Sequence, residues 1–338
     1  MSATIRLLTV LLFSLPLPLM AQEVVINAVG DIMLAGRWTP RLRQLGYDHP
    51  FSAVSSELAR GDITLANLET PVARGGREFT DKKFRFRAEP EVIGALKRNR
   101  INMVTLANNH IMDFGPDALA ETIRHLDASA IPHMGAGLNL AEARKPVITT
   151  VNGKRVAFLG YSLTQPIEFF AAKERPGTAP GYEKLITADI SAAKQQADYV
   201  IVSIHWGTEG ASAVQEYQRK TAHQAIEAGA DVIIGHHPHV LRGIERYRSG
   251  IIFYSLGNFT FASKSATADS SAIVRIRLDD RHREAEILPL DILHRRVGFQ
   301  PQPLHGQRAA GVITHLNKLS EPLGTRIEAR GDHYTVPF

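Results

Sequence analysis

Five apolar runs, each ending on polar residues and separated by helical patterns, constrain this chain more than any other feature. They are "EVVINAVGD" (23–31), "ITLANLE" (63–69), "INMVTLANNH" (101–110), "ADYVIVSIHWG" (197–207) and "ADVIIGHHPH" (230–239). Each carries four or more apolar residues with β-branched types prominent, the pattern of a strand buried on both faces. Helical patterns lie along the chain in "FSAVSSELAR" (51–60), "PEVIGALKRN" (90–99), "PDALAETIRHLDASA" (116–130), "TADISAAKQQA" (187–197) and "QEYQRKTAHQAIEAGA" (215–230). Pro90 and Pro116 suit first helical positions, and Gly229 suits a C-terminal cap. Buried strands alternating with helices predict an α/β architecture.

After residue 240 the helices thin out. "VLRGIERYRSGIIFYSLGNFTF" and "SAIVRIRLDDRHREAEILPLDIL" read as successive strands joined by short turns, an antiparallel set. No long linker, repeat or low-complexity block divides the chain, so residues 22–299 are expected to form one domain. Residues 300–338 are expected as a peripheral extension. Hydrophobic residues at 44% and charged residues at 22% exclude long disorder.

The first 21 residues have the shape of a secretory signal peptide: one early arginine, an uncharged run from Leu7 to Met20, and Ala21 before polar residues. The run is short for a membrane span, and Pro16 and Pro18 interrupt it as a helix. An exported protein, periplasmic or secreted, is expected, with a retained N-terminal membrane anchor as the alternative. The formal charge of +5 falls by one with Arg6. A small positive excess without a basic stripe suits an anionic substrate and not nucleic acid.

Ligands in open α/β sheets gather at the carboxyl ends of strands. Here those ends carry Asp31, Glu69, Asn108 to His110, His205 and the cluster His236, His237 and His239. Any one of them is ordinary, since "GD" occurs in turns and "NNH" can cap a helix. Five polar strand ends together are the oxygen and nitrogen donors that hold a divalent cation. With no cysteine in the chain, thiolate sites are excluded. Carboxylate, amide and imidazole ligands suit Mn, Fe or Zn, with one or two ions. "GYS" at 160–162 lacks the surroundings of a nucleophile elbow.

The blocks "AVGDIMLAGR", "DITLANLETPV", "FRFRAEPE", "VTLANNHIMDFG", "HMGAGLNLAEARKPV", "VIVSIHWGTE", "GADVIIGHHPHVLRGIE" and "IFYSLGNFTF" occur in order over about residues 24–262. They resemble the CapA-type poly-γ-glutamate capsule synthesis proteins, of the calcineurin-like metallophosphoesterase superfamily. That resemblance implies an α/β sandwich with two central mixed sheets flanked by helices. It also implies a ligand set. Asp31 matches the acid of the superfamily's D-x-H motif, with Met33 in place of the histidine. Glu69 falls at the bridging acid, and Asn109–His110 match the G-N-H motif. His205 matches the isolated histidine ligand, and His237 and His239 match G-H-x-H. His236 takes that motif's glycine position and, by strand parity, points elsewhere, toward substrate or supporting contacts. The missing histidine leaves either a single ion or a substitute ligand at His236 or Glu209.

In this reading His110 protonates the leaving oxygen, and Asp113 either orients it or caps the next helix. Arg85 and Arg87 share a face of an extended segment. They either grip an oxyanion or form a solvated edge. Asn258 is a site amide or a turn residue. Two functions fit. One is an exported metal-dependent hydrolase of envelope or capsule metabolism. The other is a non-catalytic component for synthesis, export or tethering of an anionic polymer, working with capsule machinery at the membrane.

Overall fold

The computed structural model describes residues 23–262 and 268–338. The signal-peptide segment lies outside the described residues. Strands β1 (Val24–Met33), β2 (Ile63–Leu68), β3 (Met103–Thr105) and β4 (His133–Met134) run parallel in one sheet. After a short strand β5 (Ala136–Gly137), strands β6 (Val147–Val151) and β7 (Lys154–Ser162) open a second sheet. Strand β8 (Gly177–Thr178) pairs with β5. The second sheet continues through β9 (Tyr199–His205), β10 (Val232–His236), β11 (Ile244–Tyr247) and β12 (Gly250–Phe253), in the order β11-β12-β10-β9-β7-β6.

The chain then returns to the first sheet. β13 (Asn258–Phe261) pairs parallel to β1, whereas β14 (Ser270–Leu278) pairs antiparallel to β1 and to β15 (Arg283–Asp291). The hairpins expected after residue 240 are therefore present but divided between two sheets. β12 and β13 join parallel neighbours. The closing segment is not peripheral. β16 (Gln302–Pro303), β17 (Glu328–Arg330) and β18 (His333–Pro337) extend the first sheet, and the helix Gly306–Ser320 sends Ile313 and Leu316 into the core between the sheets.

Three buried layers follow from strand parity. Ile26 and Ala28 of β1, Phe158 of β7, Ile201 of β9 and Ile234 of β10 meet between the sheets. The alternate residues Val200, Val202 and Ile204 turn outward onto the helices Glu183–Lys194 and Glu216–Glu227. Leu68, Val104 and Ile32 pack outward against the helices Glu91–Arg98 and Gly115–Ala128. Apolar residues at both parities are why the runs read as continuous, and each fully buried Ile or Leu contributes about 1.5–3 kcal/mol. The result is two mixed sheets flanked by helices, the architecture the resemblance implied.

Two elements are shorter than their sequence patterns. Residues 51–60 form only a 3-10 turn, His49–Phe51, and one helical turn, Ser55–Leu58. There Ser52 Oγ donates to His49 O at 2.9 Å, a local bond that competes with a regular helix. β3 stops at Thr105 because Asn108 bends the chain. Its Oδ1 accepts from the amides of His110 (3.1 Å) and Ile111 (2.9 Å).

Candidate functional site

The two sheets present the carboxyl ends of β1, β2, β3, β9 and β10 to one common edge, and the polar residues converge there. Pairing register sets their neighbours: Asp31 lies opposite Asn67 and Asn258, and His205 opposite His236. A register shift in β1 before Asp31 re-aims that strand. Gly30 permits the close approach that follows, because a Cβ there would sit 2.0 Å from the Gly257 carbonyl oxygen. That carbonyl accepts from the Asp31 amide at 3.0 Å.

Asp31 and Glu69 are both fully buried. Asp31 Oδ1 accepts from His236 Nδ1 and Asn67 Nδ2, each at 2.9 Å, and Oδ2 accepts from His239 Nδ1 at 3.2 Å. Burial pushes its pKa up, but the hydrogen bonds and positive potential of His236 and His239 outweigh it and hold the carboxyl well below the usual range. Glu69 goes the other way. Burial first, and the Asp31 charge second, raise it well above an ordinary glutamate.

Glu69 Oε2 accepts from Asn67 Nδ2 at 3.0 Å, whereas Oε1 is buried with no hydrogen-bond partner among the described residues. Facing Oε1 are His205 Nε2 at 3.6 Å and His239 Nε2 at 3.8 Å. His205 Nε2 also lies 3.0 Å from Asn109 Oδ1. Burial, then the neighbouring His237, holds His205 well below the usual imidazole range. Burial and His239 bring His237 down to about 3. Both rings are therefore neutral with lone pairs available near pH 7.

The turn carrying these rings is strained. His237 (φ 94°) and His239 (φ 59°) both occupy left-handed backbone, a conformation that β-carbon-bearing residues adopt at a cost of about 1–3 kcal/mol and that gathers at functional sites.

Among the described residues, three overlapping groups bring carboxylate and imidazole atoms within 4.8 Å of one another: Glu69, His205 and His237; Asp31, Glu69 and His239; and Glu209, His237 and His239. Among the described residues, Glu69 Oε1, His236 Nε2, His237 Nδ1 and Asn258 Oδ1 are buried here without a hydrogen-bond partner. Unpaired buried polar atoms are costly and call for a partner. A divalent cation meets that need, and oxygen and nitrogen donors without sulfur fit one.

His110 belongs to the adjoining loop. Its Nδ1 donates to Asp113 Oδ2 at 2.6 Å. Asp113 Oδ2 also accepts from the Phe86 amide at 2.8 Å, and Oδ1 accepts from Lys82 Nζ at 2.7 Å. Burial lowers the His110 pKa against the pull of Asp113. His110 lines a cleft of about 480 Å³ together with Met33, Phe84, Phe86, Glu209 and His239. Its Nε2 is the nitrogen left for that cleft.

Arg85 and Arg87 do not converge on the site. Arg85 donates to Glu78 Oε1 at 2.7 Å and to the Lys82 carbonyl. Arg87 donates to Gly75 O at 3.0 Å and lies over the Phe114 ring. His236 is buried and turned to Asp31, and Asn258 lies beside Asp31 on β13. Sequence reasoning missed Asn67, which joins the two acids, and Lys82, which joins His110, Asp113 and the Asn109 carbonyl. Asn67 had a signal: an amide two positions before Glu69 in an otherwise apolar strand.

The fold is a two-sheet sandwich whose strand ends gather nitrogen and oxygen donors that could hold a divalent ion. Residues 25–263 match the model of the family described as "Bacterial capsule synthesis protein PGA_cap", and the chain belongs to that family. It is 34% identical over 279 residues to "Capsule biosynthesis protein CapA" of Bacillus anthracis, spanning 80% of this chain and 68% of that one. It is 35% identical over 268 residues to "PGA biosynthesis protein CapA" of Bacillus subtilis, spanning 78% and 70%. The Haemophilus influenzae NAD nucleotidase structure superposes with a TM-score of 0.49 at 14% identity, over 89% of this chain and 64% of that one.

Proposed function

We propose that this chain is an exported metal-dependent hydrolase of the metallophosphoesterase type, acting on an anionic compound of envelope or capsule metabolism. The observation that carries the reading is Glu69 Oε1: buried, without a hydrogen bond, and faced by imidazole nitrogens at 3.6 and 3.8 Å. Glu69, Asn109, His205 and His237 would hold one Mn, Zn or Fe ion, and Asp31, Glu69 and His239 would contribute to a second. Such an ion polarises a phosphoryl or acyl oxygen and makes water acidic enough to attack near neutral pH.

The chain's own residues do the rest. Asp113 holds His110 Nδ1–H, fixing the tautomer and the ring. His110 Nε2 then faces the cleft, where the doubly protonated ring would donate its Nε2 proton to the leaving oxygen and return to the neutral Nδ1–H form. Lys82 Nζ pairs with the buried Asp113 carboxylate at 2.7 Å and helps hold it in place. Substitution of His110 by alanine is expected to keep metal and fold while turnover of an aryl phosphate drops on the order of 10²–10⁴-fold.

One observation favours a second reading, a non-catalytic part in making, exporting or tethering an anionic polymer. Met33 stands two residues after Asp31, buried, where a ligand is expected. If the metal-loaded wild type turns over neither an aryl phosphate nor a γ-glutamyl amide, and His110→Ala still supports capsule formation in cells, the second reading replaces the first.

A further inference from the structure

Glu209 is an exposed acid on the loop after β9, an unpromising place for a ligand unless something holds the loop. Arg242 holds it. This arginine is only 1% exposed, and its guanidinium donates to Thr208 O at 3.0 Å and Ala211 O at 2.7 Å, on either side of Glu209. The remaining nitrogen, Nη1, donates to Gln218 Oε1 at 2.8 Å, anchoring the clamp to the helix Glu216–Glu227. The loop is also fastened to the histidine turn: the Gly210 amide donates to Pro238 O at 2.9 Å, and Pro238 lies between His237 and His239. The Gly207 amide, at the loop's start, donates to Tyr217 Oη at 2.8 Å.

An exposed acid is thus fixed from both sides within a group whose donor atoms all lie within 4.8 Å: Glu209, His237 and His239. Glu209 lines the same cleft as Met33. His236, the other residue placed to substitute, has its Nδ1 committed to Asp31 and belongs to none of the three groups.

We propose that Glu209 is a metal ligand, joining His237 and His239 at the cleft side of the centre, and that Arg242 is the residue that positions it. This rests on the reading of the strand-end cluster as a metal centre. Glu209 supplies the donor that Met33 does not, with a carboxylate in place of an imidazole and from the second sheet instead of the first. Because a rigid backbone clamp presents it, little ordering is needed when the ion binds.

The test is Mn(II) and Zn(II) titration by calorimetry, with metal content after dialysis measured in parallel. Glu209→Gln is expected to bind at least tenfold more weakly than wild type, with an unchanged circular dichroism spectrum. Glu216→Gln, which removes another exposed acid nearby in sequence, is expected to bind like wild type. Arg242→Lys keeps the charge but not the three-way clamp. It is expected to weaken binding in the wild-type background and to have no further effect in Glu209→Gln, the non-additivity of residues acting through one another. Equal affinity of Glu209→Gln and wild type overturns the proposal and leaves the centre standing, as does equal weakening by Glu216→Gln. Additive losses from Arg242→Lys and Glu209→Gln overturn the positioning role. A wild type that takes up neither metal overturns the centre itself.

Discussion

Asp31 and Glu69, two fully buried carboxylates, share one hydrogen-bond donor: Asn67 Nδ2 lies 2.9 Å from Asp31 Oδ1 and 3.0 Å from Glu69 Oε2. The same nitrogen is 3.3 Å from His205 Nδ1, while Asn67 Oδ1 accepts from Asn108 Nδ2 at 3.0 Å. One amide therefore orients two acids and an imidazole of the centre, and ties them to the loop that carries His110. Removing a partner of this kind typically weakens metal binding 10–100-fold. Asn67→Leu, of similar size, should show that loss in a Mn(II) titration. Leaving buried polar groups unpaired should also lower stability by about 1–3 kcal/mol, read from the urea midpoint. Wild-type affinity in Asn67→Leu would remove Asn67 from the centre.

The acids titrate in opposite directions, and only Glu69 is raised. A carboxyl whose folded pKa is raised binds more protons in the folded state than in the unfolded one. Its contribution is complete below the ordinary glutamate value of 4.5 and is lost as pH rises through the folded pKa. The neutral buried imidazoles His205 and His237 have the opposite sign, gaining stability up to their reference of 6.5. The Glu69 effect is therefore read as a difference. Metal-free wild type should lose stability relative to metal-free Glu69→Gln as pH rises above about 4.5. A flat difference between pH 4.5 and 8 would contradict a raised Glu69.

Metal binding to the folded state alone stabilises it by RT ln(1 + [L]/Kd), about 2.7 kcal/mol at a hundredfold excess over Kd. Chelation is accordingly expected to lower the melting temperature of wild type, and readdition of Mn or Zn to restore it. His205→Ala should show a smaller chelator-dependent fall in melting temperature than wild type. Identical melting of loaded and stripped wild type would argue against a resident ion.

The five strand ends were legible because each closes an apolar run in chain order, so parity and position could be counted along the sequence. Asn67 was readable in principle, as it lies near the end of β2 two positions before Glu69. Lys82 was not: it sits outside helix and strand, and meets Asp113 across 31 residues of chain. Arg242 reads as an ordinary charged residue, and only the packed structure shows it clamping the Glu209 loop. The division of the late hairpins between two sheets was likewise hidden. β12 and β13 are separated by only four residues yet join different sheets, and hairpin periodicity carries no information about which sheet a strand enters. The C-terminal helix did carry a spacing signal, in Ala309, Ile313, Leu316 and Ser320, all buried.

His110 lies between two opposing charges, which allows its environment to be tested from both sides. Asp113 accepts from its Nδ1 at 2.6 Å, and Lys82 Nζ is 3.0 Å from the same nitrogen. The carboxylate favours the imidazolium, whereas the ammonium disfavours it. In metal-free protein, Lys82→Met should therefore raise the His110 pKa and Asp113→Asn should lower it, measured by NMR titration of the imidazole. The two substitutions should nevertheless agree in function. Each removes part of the support that fixes the ring, so each should reduce aryl phosphate turnover about 10–100-fold, with the Mn(II) affinity of the centre largely retained. Burial sharpens the contrast, because charges near a buried ring are screened less than at the surface. Shifts of the same sign in the two variants, or none in either, would show that His110 is not held between these groups.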